Sequence, residues 1–149
     1  MADILIIIGT EGGNARFAAE AVRDELAGMG HSADLSMGGD CIALDLTRRP
    51  LALLCTSTYG FGDLPENLQP FAHSLRTRKP DLRHLRYGVI ALGDQTYSET
   101  FCKAGRTLDE QLRDLGARRV GDRLEIDACT QPLADEEAAA WAREWAGML

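Results

Sequence analysis

The sequence has no long apolar run, no excess of basic residues and no closely paired cysteines. The apolar run at residues 4–8 is far too short to span a bilayer, and neither a basic segment nor a cleavage site accompanies it. We therefore expect no membrane span and no secretory leader, and we expect a cytoplasmic protein. The 16 basic residues against 23 acidic ones give a net charge of −7, which argues against nucleic acid and anionic membranes as partners.

The four cysteines, Cys41, Cys55, Cys102 and Cys129, form no CxxC pair and have no ligand-like spacing to a histidine. This pattern argues against a zinc site, an iron–sulfur cluster and a disulfide framework, so no metal is predicted. Cys55 lies within an apolar run, and we interpret it as a small buried hydrophobic residue.

The sequence does contain an alternation of strand and helix patterns. Apolar runs at residues 4–8, 51–55 and 87–92 predict strands that are buried on both faces, as in a parallel sheet. Weaker patterns at residues 31–36 and 120–126 predict two more strands. The 149 residues, of which 45% are hydrophobic, are enough for one domain over residues 1–149.

Apolar residues at helical spacing predict helices between the strands, and Pro65 suits the first residue of the second helix. Residues 37–49 show no clear period. A C-terminal helix should start at Asp135 and turn Trp141, Trp145 and Met148 inward. This order predicts a three-layer α/β fold with a doubly wound, five-stranded parallel sheet in the order 2-1-3-4-5. The helical stripes are Ala18, Val22 and Leu26; Leu68, Phe71 and Leu75; and Leu108, Leu112 and Leu115.

Ligands in this architecture bind beyond the carboxyl ends of the strands, which points to residues 10–15, 56–62 and 93–102. Residues 9–15 (Gly-Thr-Glu-Gly-Gly-Asn-Ala) join a strand to a helix, and their small side chains let backbone amides bind a phosphate at the helix N-terminus. The segment lacks the lysine of a Walker A loop and the GxGxxG spacing of a dinucleotide fingerprint. A tight turn alone would explain the same small residues.

The other two segments carry hydroxyls and aromatic rings. Thr56, Ser57 and Thr58 offer hydroxyls for phosphate or polyol oxygens, while Tyr59 and Tyr97 could sandwich a planar heterocycle. For the segment with Tyr59, an exposed tyrosine packed on its neighbours is the plain alternative. Taken together, the three segments predict a site for an aromatic mononucleotide.

These motifs resemble those of short-chain flavodoxins, in particular the MioC-like group and the flavodoxin domains of sulfite and cytochrome P450 reductases. Residues 9–15 resemble the phosphate loop, whereas residues 57–63 and 92–97, with Phe101 and Cys102, resemble the two isoalloxazine loops. The resemblance extends to residues 124–127 and implies a flavodoxin-like fold, non-covalent FMN and one-electron transfer. The cofactor-binding residues that it implies are Thr10, Glu11, Gly12, Gly13, Asn14, Ala15, Thr56, Ser57, Thr58, Tyr59, Gly60, Leu92, Gly93, Asp94, Tyr97, Phe101, Cys102 and Asp127.

The chain departs from the family pattern at two places. Gly12 stands where threonine is usual, so Thr10, Thr58 and backbone amides would hold the phosphate. The segment between Tyr97 and Phe101 is one residue longer than in the reductase domains. At the flavin edge, Gly60 could flip its peptide cheaply, so that its carbonyl accepts a hydrogen bond from flavin N5–H. With acidic residues around the ring and no cation nearby, the anionic fully reduced flavin should be disfavoured.

The resemblance also implies partners. An NADPH-dependent flavodoxin reductase would be the electron donor, and the acceptor enzyme is unknown. Asp63, Glu66, Asp94 and Glu99 lie in or beside the flavin segments and predict an acidic rim on which a basic partner docks. We expect a monomer, and because no histidine lies in the three segments we predict no catalytic residue.

Three other functions stay open at this point. A phosphoacceptor receiver domain has the same fold but needs carboxylates at the end of strand one, where Gly9 and Thr10 stand. An FMN-dependent NAD(P)H quinone or azo reductase would need a substrate pocket over the flavin. A cofactor-free interaction module would not need two tyrosines in glycine-rich segments.

Overall fold

A computed structural model of the protein describes residues 2–10, 13–41, 43–58, 64–93, 102–127 and 133–149. Its strands pair in parallel in the order β2-β1-β3-β4, and the last two strands both pair with β4. This arrangement confirms the predicted strand order. The strands are β1 (Asp3–Gly9), β2 (Ser32–Ser36), β3 (Leu51–Ser57), β4 (Arg86–Gly93), β5 (Arg118–Arg119) and β6 (Leu124–Asp127).

The fifth position of the sheet holds two short strands, so the prediction of one continuous strand over 120–126 was wrong. Arg119 pairs with Tyr87, and the next paired residue, Leu124, lies opposite Ile90. The segment from Arg119 to Leu124 is therefore longer than the segment from Tyr87 to Ile90 that it faces in β4. Its additional residues form a bulge that interrupts the ladder of hydrogen bonds. Gly121, at φ +70°, supplies the left-handed conformation that such a bulge requires.

The α-helices of the described ranges cover the two faces of the sheet, and they make the fold three-layered as predicted. Alternate residues of β1 face opposite layers: Leu5 and Ile7 pack toward one, and Ile4, Ile6 and Ile8 toward the other. This explains why the strand is a continuous apolar run. No helix in the described ranges is long and apolar enough to cross a bilayer. The helices are α1 (Asn14–Gly28), α2 (Gln69–Arg78), α3 (Lys103–Asp114) and α4 (Ala134–Ala146), with 3₁₀ helices at Leu46–Arg48 and Glu66–Leu68.

Two details at helix ends differ from expectation. Pro65 precedes the 3₁₀ helix Glu66–Leu68 and is not the first residue of α2. Met148 lies beyond the end of α4 and is 51% exposed, so it does not face inward as predicted. Trp145 is fully buried, as expected.

The packing of α4 on the sheet depends on a glycine in β4. The rings of Trp141 and Trp145 stack with their centroids 5.9 Å apart, and both lie over Gly88. A Cβ at Gly88 would come within 2.7 Å of Trp145 Nε1 and of Leu53 Cδ2, and within 2.8 Å of Trp141 Cη2. The missing side chain therefore creates the space that the indole rings fill.

An ion-pair network ties α3 to the last two strands. Arg106 of α3 makes a bidentate pair with Glu125 of β6 at 2.8 and 2.9 Å, and Glu125 also accepts from Arg123 at 3.0 Å. Asp109, 2% exposed, accepts from Tyr87 Oη at 2.5 Å, from Arg123 and from Arg119. Burial, followed by the nearby Asp109 carboxylate, raises the pKa of Tyr87, so the phenol stays protonated and donates. The network fixes the distance between α3 and the sheet edge.

Gly88→Ala is expected to lower the free energy of unfolding by about 1–3 kcal/mol, because the new methyl group overpacks the indole layer. Gly28→Ala is the matched control, since a Cβ at Gly28 meets no atom within 4 Å. Denaturant unfolding followed by circular dichroism measures both. Equal stability of the two variants would contradict this account of the α4 packing.

Glu125→Gln tests the ion-pair network through its pH dependence. Hydrogen bonds, first from Arg106 and then from Arg123, hold the pKa of Glu125 below its usual value of 4.5. A lowered folded-state pKa stabilises the protein above the unfolded-state pKa, and this contribution is lost as the pH falls through the folded-state value. The variant should be less stable at pH 7 by about 1–2 kcal/mol. This range is below that of a fully buried ion pair, because Arg106 is partly exposed and solvent screens its charge.

The stability difference between Glu125→Gln and the unmodified protein should shrink as the pH falls below 4.5, the usual pKa of the side chain. Thermal melts between neutral and acidic pH measure it. Glu110→Gln, on the exposed side of α3, is the control and should change little at any pH. A pH-independent difference for Glu125→Gln would show that the carboxylate charge contributes nothing.

Candidate functional site

The carboxyl ends of four strands meet at one edge of the sheet, where the sequence predicts the site. Gly9 pairs with Thr56, Ser57 with Leu92, and Gly93 with Asp127. Residues from all three predicted segments are thereby brought together with Asp127. Leu92 and Asp127 are 6% and 4% exposed, so both lie within the edge and not on its surface.

The first turn of α1 is built to present backbone donors. Gly13 adopts φ +90° just before the helix, and its N–H donates to Thr10 Oγ1 at 2.8 Å. The next amides, of Asn14, Ala15 and Arg16, have no acceptor within the helix. A Cβ at Gly13 would meet no atom within 4 Å, so the space in front of this turn is open. Such a helix terminus can bind an anion.

Thr58 occupies an equivalent position at the end of β3. Its N–H donates to Leu92 O, and its Oγ1 accepts from the N–H of Ala104 in α3, both at 3.1 Å. Thr10 and Thr58 thus share one pattern, in which the hydroxyl oxygen accepts from a backbone amide. A hydroxyl that accepts in this way still carries a hydrogen that it can donate to a ligand oxygen.

The other two hydroxyls of this strand end are buried. Thr56 is fully buried and its hydroxyl donates to Ser57 O at 3.0 Å, while Ser57 is 8% exposed. Their side chains belong to the strand layer, in contrast to the half-buried Thr58.

The cysteines near this edge are packing residues. Cys55 Sγ donates to Ala15 O and Cys102 Sγ to Ala91 O, each at 3.3 Å. Burial raises the pKa of Cys55 to about 12, and mainly burial, with Glu125 adding to it, raises that of Cys102 to about 12. Both stay neutral thiols and are poor nucleophiles. Cys102, at φ +54°, also forms the turn that begins α3.

Several predicted site residues lie outside the described residues. They are Glu11, Gly12, Tyr59, Gly60, Asp94, Tyr97 and Phe101, together with Asp63 and Glu99 of the predicted acidic rim. Among the residues that are described, no group of histidine, cysteine or carboxylate side chains could hold a metal ion.

Sequence reasoning missed Asn67, which contacts the first segment of the site. Its Oδ1 accepts from Thr10 N–H at 3.0 Å, and its Nδ2 donates to Ile8 O and Met37 O at 2.6 and 2.7 Å. The two carbonyls and the one amide fix which end of the side-chain amide is nitrogen. Asn67 lies in the 3₁₀ helix Glu66–Leu68 but not on the apolar stripe of Leu68, Phe71 and Leu75. In the sequence, only its position at a helix start, after Pro65 and Glu66, could have indicated a structural role.

Comparisons with known proteins agree with this site. The flavodoxin family pattern matches residues 6–141. Protein MioC of Escherichia coli (strain K12) is 34% identical over 149 residues, which cover 100% of this chain and 99% of MioC. The sulfite reductase (NADPH) flavoprotein alpha-component of Vibrio cholerae is 35% identical over 134 residues, which cover 89% of this chain and 22% of that protein.

A solved structure gives the same result at the level of the fold. A mutant flavodoxin from Pseudomonas aeruginosa superimposes with a TM-score of 0.90 at 32% identity, over 99% of this chain and 98% of that one. The resemblance noted in the motifs is thereby confirmed along the whole chain. Because the family pattern, the relatives and the fold agree, the chain belongs to the flavodoxin family: it binds FMN and, like the flavodoxins that it matches along its whole length, it is an electron carrier rather than an enzyme.

Proposed function

We propose that this flavodoxin holds the FMN phosphate at the N-terminus of α1 and the flavin ring between the segments that follow β3 and β4. The observation that carries the proposal is the first turn of α1, where the first backbone amides have no acceptor within the helix and a Cβ at Gly13 would meet no atom within 4 Å. When bound, FMN supplies the redox centre. The chain supplies hydrogen-bond donors, orientation and the surface on which partners dock.

The donors at this turn suit a phosphate without any cation. Backbone amides of α1 and the hydroxyl hydrogens of Thr10 and Thr58 can all point at phosphate oxygens, and the helix dipole adds to their attraction. Arg16, the cation nearest to this turn in sequence, is 60% exposed and pairs with Glu20 at 3.3 Å. Neutral donors would therefore do most of the binding.

Site residues divide into two kinds under this proposal. One kind is buried and would act through backbone and packing: Ala15, Thr56, Ser57, Leu92, Cys102 and Asp127. The remainder would contact FMN with side chains or exposed backbone. These are Thr10, Glu11, Gly12, Gly13 and Asn14 at the phosphate; Thr58, Tyr59 and Gly60 after β3; and Gly93, Asp94, Tyr97 and Phe101 after β4.

Thr10→Val should weaken FMN binding at least about 10-fold while changing riboflavin binding far less, because the hydroxyl would donate to the phosphate that riboflavin lacks. Titration of the apoprotein with each flavin, followed by quenching of flavin fluorescence, measures the two affinities. Asn14→Ala should shift them in the same direction.

Thr77→Val is the matched control, since Thr77 is exposed on α2 and its hydroxyl donates only to His73 O at 3.0 Å. It should leave both affinities unchanged. An equal loss for FMN and riboflavin in Thr10→Val would place the phosphate elsewhere.

We also propose that the electron donor is an NADPH-dependent flavodoxin reductase that docks on the acidic rim, and that the acceptor enzyme uses the same face. The Vibrio cholerae relative supports this donor, because a flavoprotein that is named for NADPH contains a segment similar to this chain. Glu66 is exposed beside the site, and the chain carries a net charge of −7. Acidic groups around a flavin would attract a basic partner and raise its association rate.

Reduction by such a reductase should slow by about 10-fold or more as salt rises, because salt screens the attraction between unlike charges. Stopped-flow reduction across a salt series measures the rate. In Asp63→Lys/Glu66→Lys most of this salt dependence should be lost.

Glu110→Lys/Asp114→Lys carries the same charge change on the exposed part of α3 and is the control. It should keep most of the salt dependence. A flat rate against salt in the unmodified protein, or an equal effect of both double variants, would refute docking on the rim.

We further propose that residues 1–149 act as one FMN-binding unit, monomeric and cytoplasmic. The reduced, buried thiols of Cys41, Cys55 and Cys102 suit a reducing compartment. All proposed FMN contacts come from one chain, which needs no second copy to complete the site.

A further inference from the structure

We propose that Asn67 is a positioning residue that sets the geometry of the phosphate turn, and so determines how strongly the protein prefers FMN to riboflavin. The inference rests on the phosphate site proposed above. Asn67 acts on that site through the backbone on either side of Gly9, since it accepts from the Thr10 N–H and donates to Ile8 O.

The side chain of Asn67 joins the ends of two neighbouring strands. Its Nδ2 bonds to Ile8 O in β1 and to Met37 O just after β2, and its Oδ1 accepts from Thr10 N–H. The three partners are 59, 30 and 57 positions away in the chain. One side chain thus replaces the ladder hydrogen bonds at the point where β1 and β2 separate.

Packing holds Asn67 in this place. The adjacent Leu68 is fully buried, and a Cβ at Gly9 would lie 2.3 Å from its Cδ1. On the other side, Gly38 adopts φ +107°, and a Cβ there would lie 2.3 Å from Asn67 O. Two glycines therefore let the 3₁₀ helix Glu66–Leu68 approach the end of β1 closely enough for Asn67 to reach Thr10.

Two successive hydrogen bonds connect Asn67 to the start of α1 through Thr10. Because Asn67 Oδ1 takes the Thr10 N–H, the orientation of the peptide between Gly9 and Thr10 is fixed. That orientation directs Thr10 Oγ1 to the Gly13 N–H at 2.8 Å, and Gly13 starts α1. A change at Asn67 would therefore shift the phosphate donors without touching the surfaces proposed for the flavin ring.

An amide is the side chain that suits this position beside a bound anion. It offers two donors and an acceptor with no charge, so it neither repels the phosphate nor competes for it. A carboxylate of the same size would still accept the hydrogen bond from the Thr10 N–H. Its negative charge would, however, be repelled by the two carbonyl oxygens and by the phosphate.

The test compares FMN and riboflavin affinities of the Asn67→Ala apoprotein by fluorescence titration. FMN binding should weaken at least about 10-fold and riboflavin binding by less than about 3-fold, since only the phosphate contacts are displaced. Hydrogen exchange of the Thr10 amide should also speed up, because its acceptor is removed. Gln69→Ala is the control: the Gln69 side chain donates to Leu64 O at 3.1 Å, and the variant should leave the affinity ratio unchanged.

Gly38→Ala gives a second test that leaves Asn67 in place. If Asn67→Ala does not fold, this second variant decides the role of Asn67. Its methyl group would push against Asn67 O, whereas in Gly39→Ala, at φ +124°, the methyl group would lie 4.0 Å from Ala43 Cβ. Both variants carry similar backbone strain, so only Gly38→Ala should reduce the preference for FMN.

The outcomes separate this inference from the proposal on which it rests. If the unmodified protein prefers FMN to riboflavin and Asn67→Ala or Gly38→Ala keeps that preference, the role of Asn67 is overturned and the phosphate site is not. Equal weakening of both flavins does the same, since it shows a merely structural effect. Equal affinity of the unmodified apoprotein for FMN and riboflavin overturns the phosphate site and this inference together.

Discussion

The contact between Leu68 and Gly9 is the constraint on which the carboxyl edge of the sheet depends. A Cβ at Gly9 would lie 2.3 Å from Leu68 Cδ1 and 2.5 Å from Thr56 Oγ1, so β1, β3 and the 3₁₀ helix Glu66–Leu68 can meet only at a glycine. This close approach brings Asn67 to Thr10, and Thr10 in turn holds Gly13 at the start of α1. The lack of a side chain at Gly9 thus allows the sheet, the 3₁₀ helix before α2 and the first turn of α1 to pack closely together. These are the elements that surround the proposed phosphate site.

Two arginines near this edge, Arg16 and Arg106, are engaged by carboxylates, while Lys103 lies exposed at the start of α3. Arg16 pairs with Glu20, and Arg106 is held by Glu125 in a bidentate pair. Among the described residues, the backbone amides at the start of α1 and the hydroxyls of Thr10 and Thr58 are neutral groups that can donate to an anion here. Neutral donors bind a phosphate by geometry, so the affinity at the proposed phosphate site would depend on how well the turn is held in place and less on salt.

The fold could be predicted from the sequence because each central strand is buried on both faces and therefore reads as a continuous apolar run. Prediction failed where the cause lay outside the local pattern. The bulge between Arg119 and Leu124 depends on a mismatch in length against β4, and Met148 is exposed because α4 ends before it. The site segments were recognisable from their small and hydroxyl residues. Asn67 was not, because its partners Ile8, Thr10 and Met37 are distant in sequence and its own neighbours carry no motif.

Gly93 and Cys102, the described residues on either side of residues 94–101, are both held in place by the rest of the described structure. Gly93 is paired with Asp127 in the sheet, and Cys102 is buried at the start of α3. α3 is fixed by Thr58 accepting from Ala104, by Arg106 on Glu125 and by Tyr87 on Asp109. These contacts set the positions of two strand ends and of the start of α3 relative to one another. A scaffold that is fixed in this way can present segments of different sequence at the same edge, which is how one fold can serve different functions.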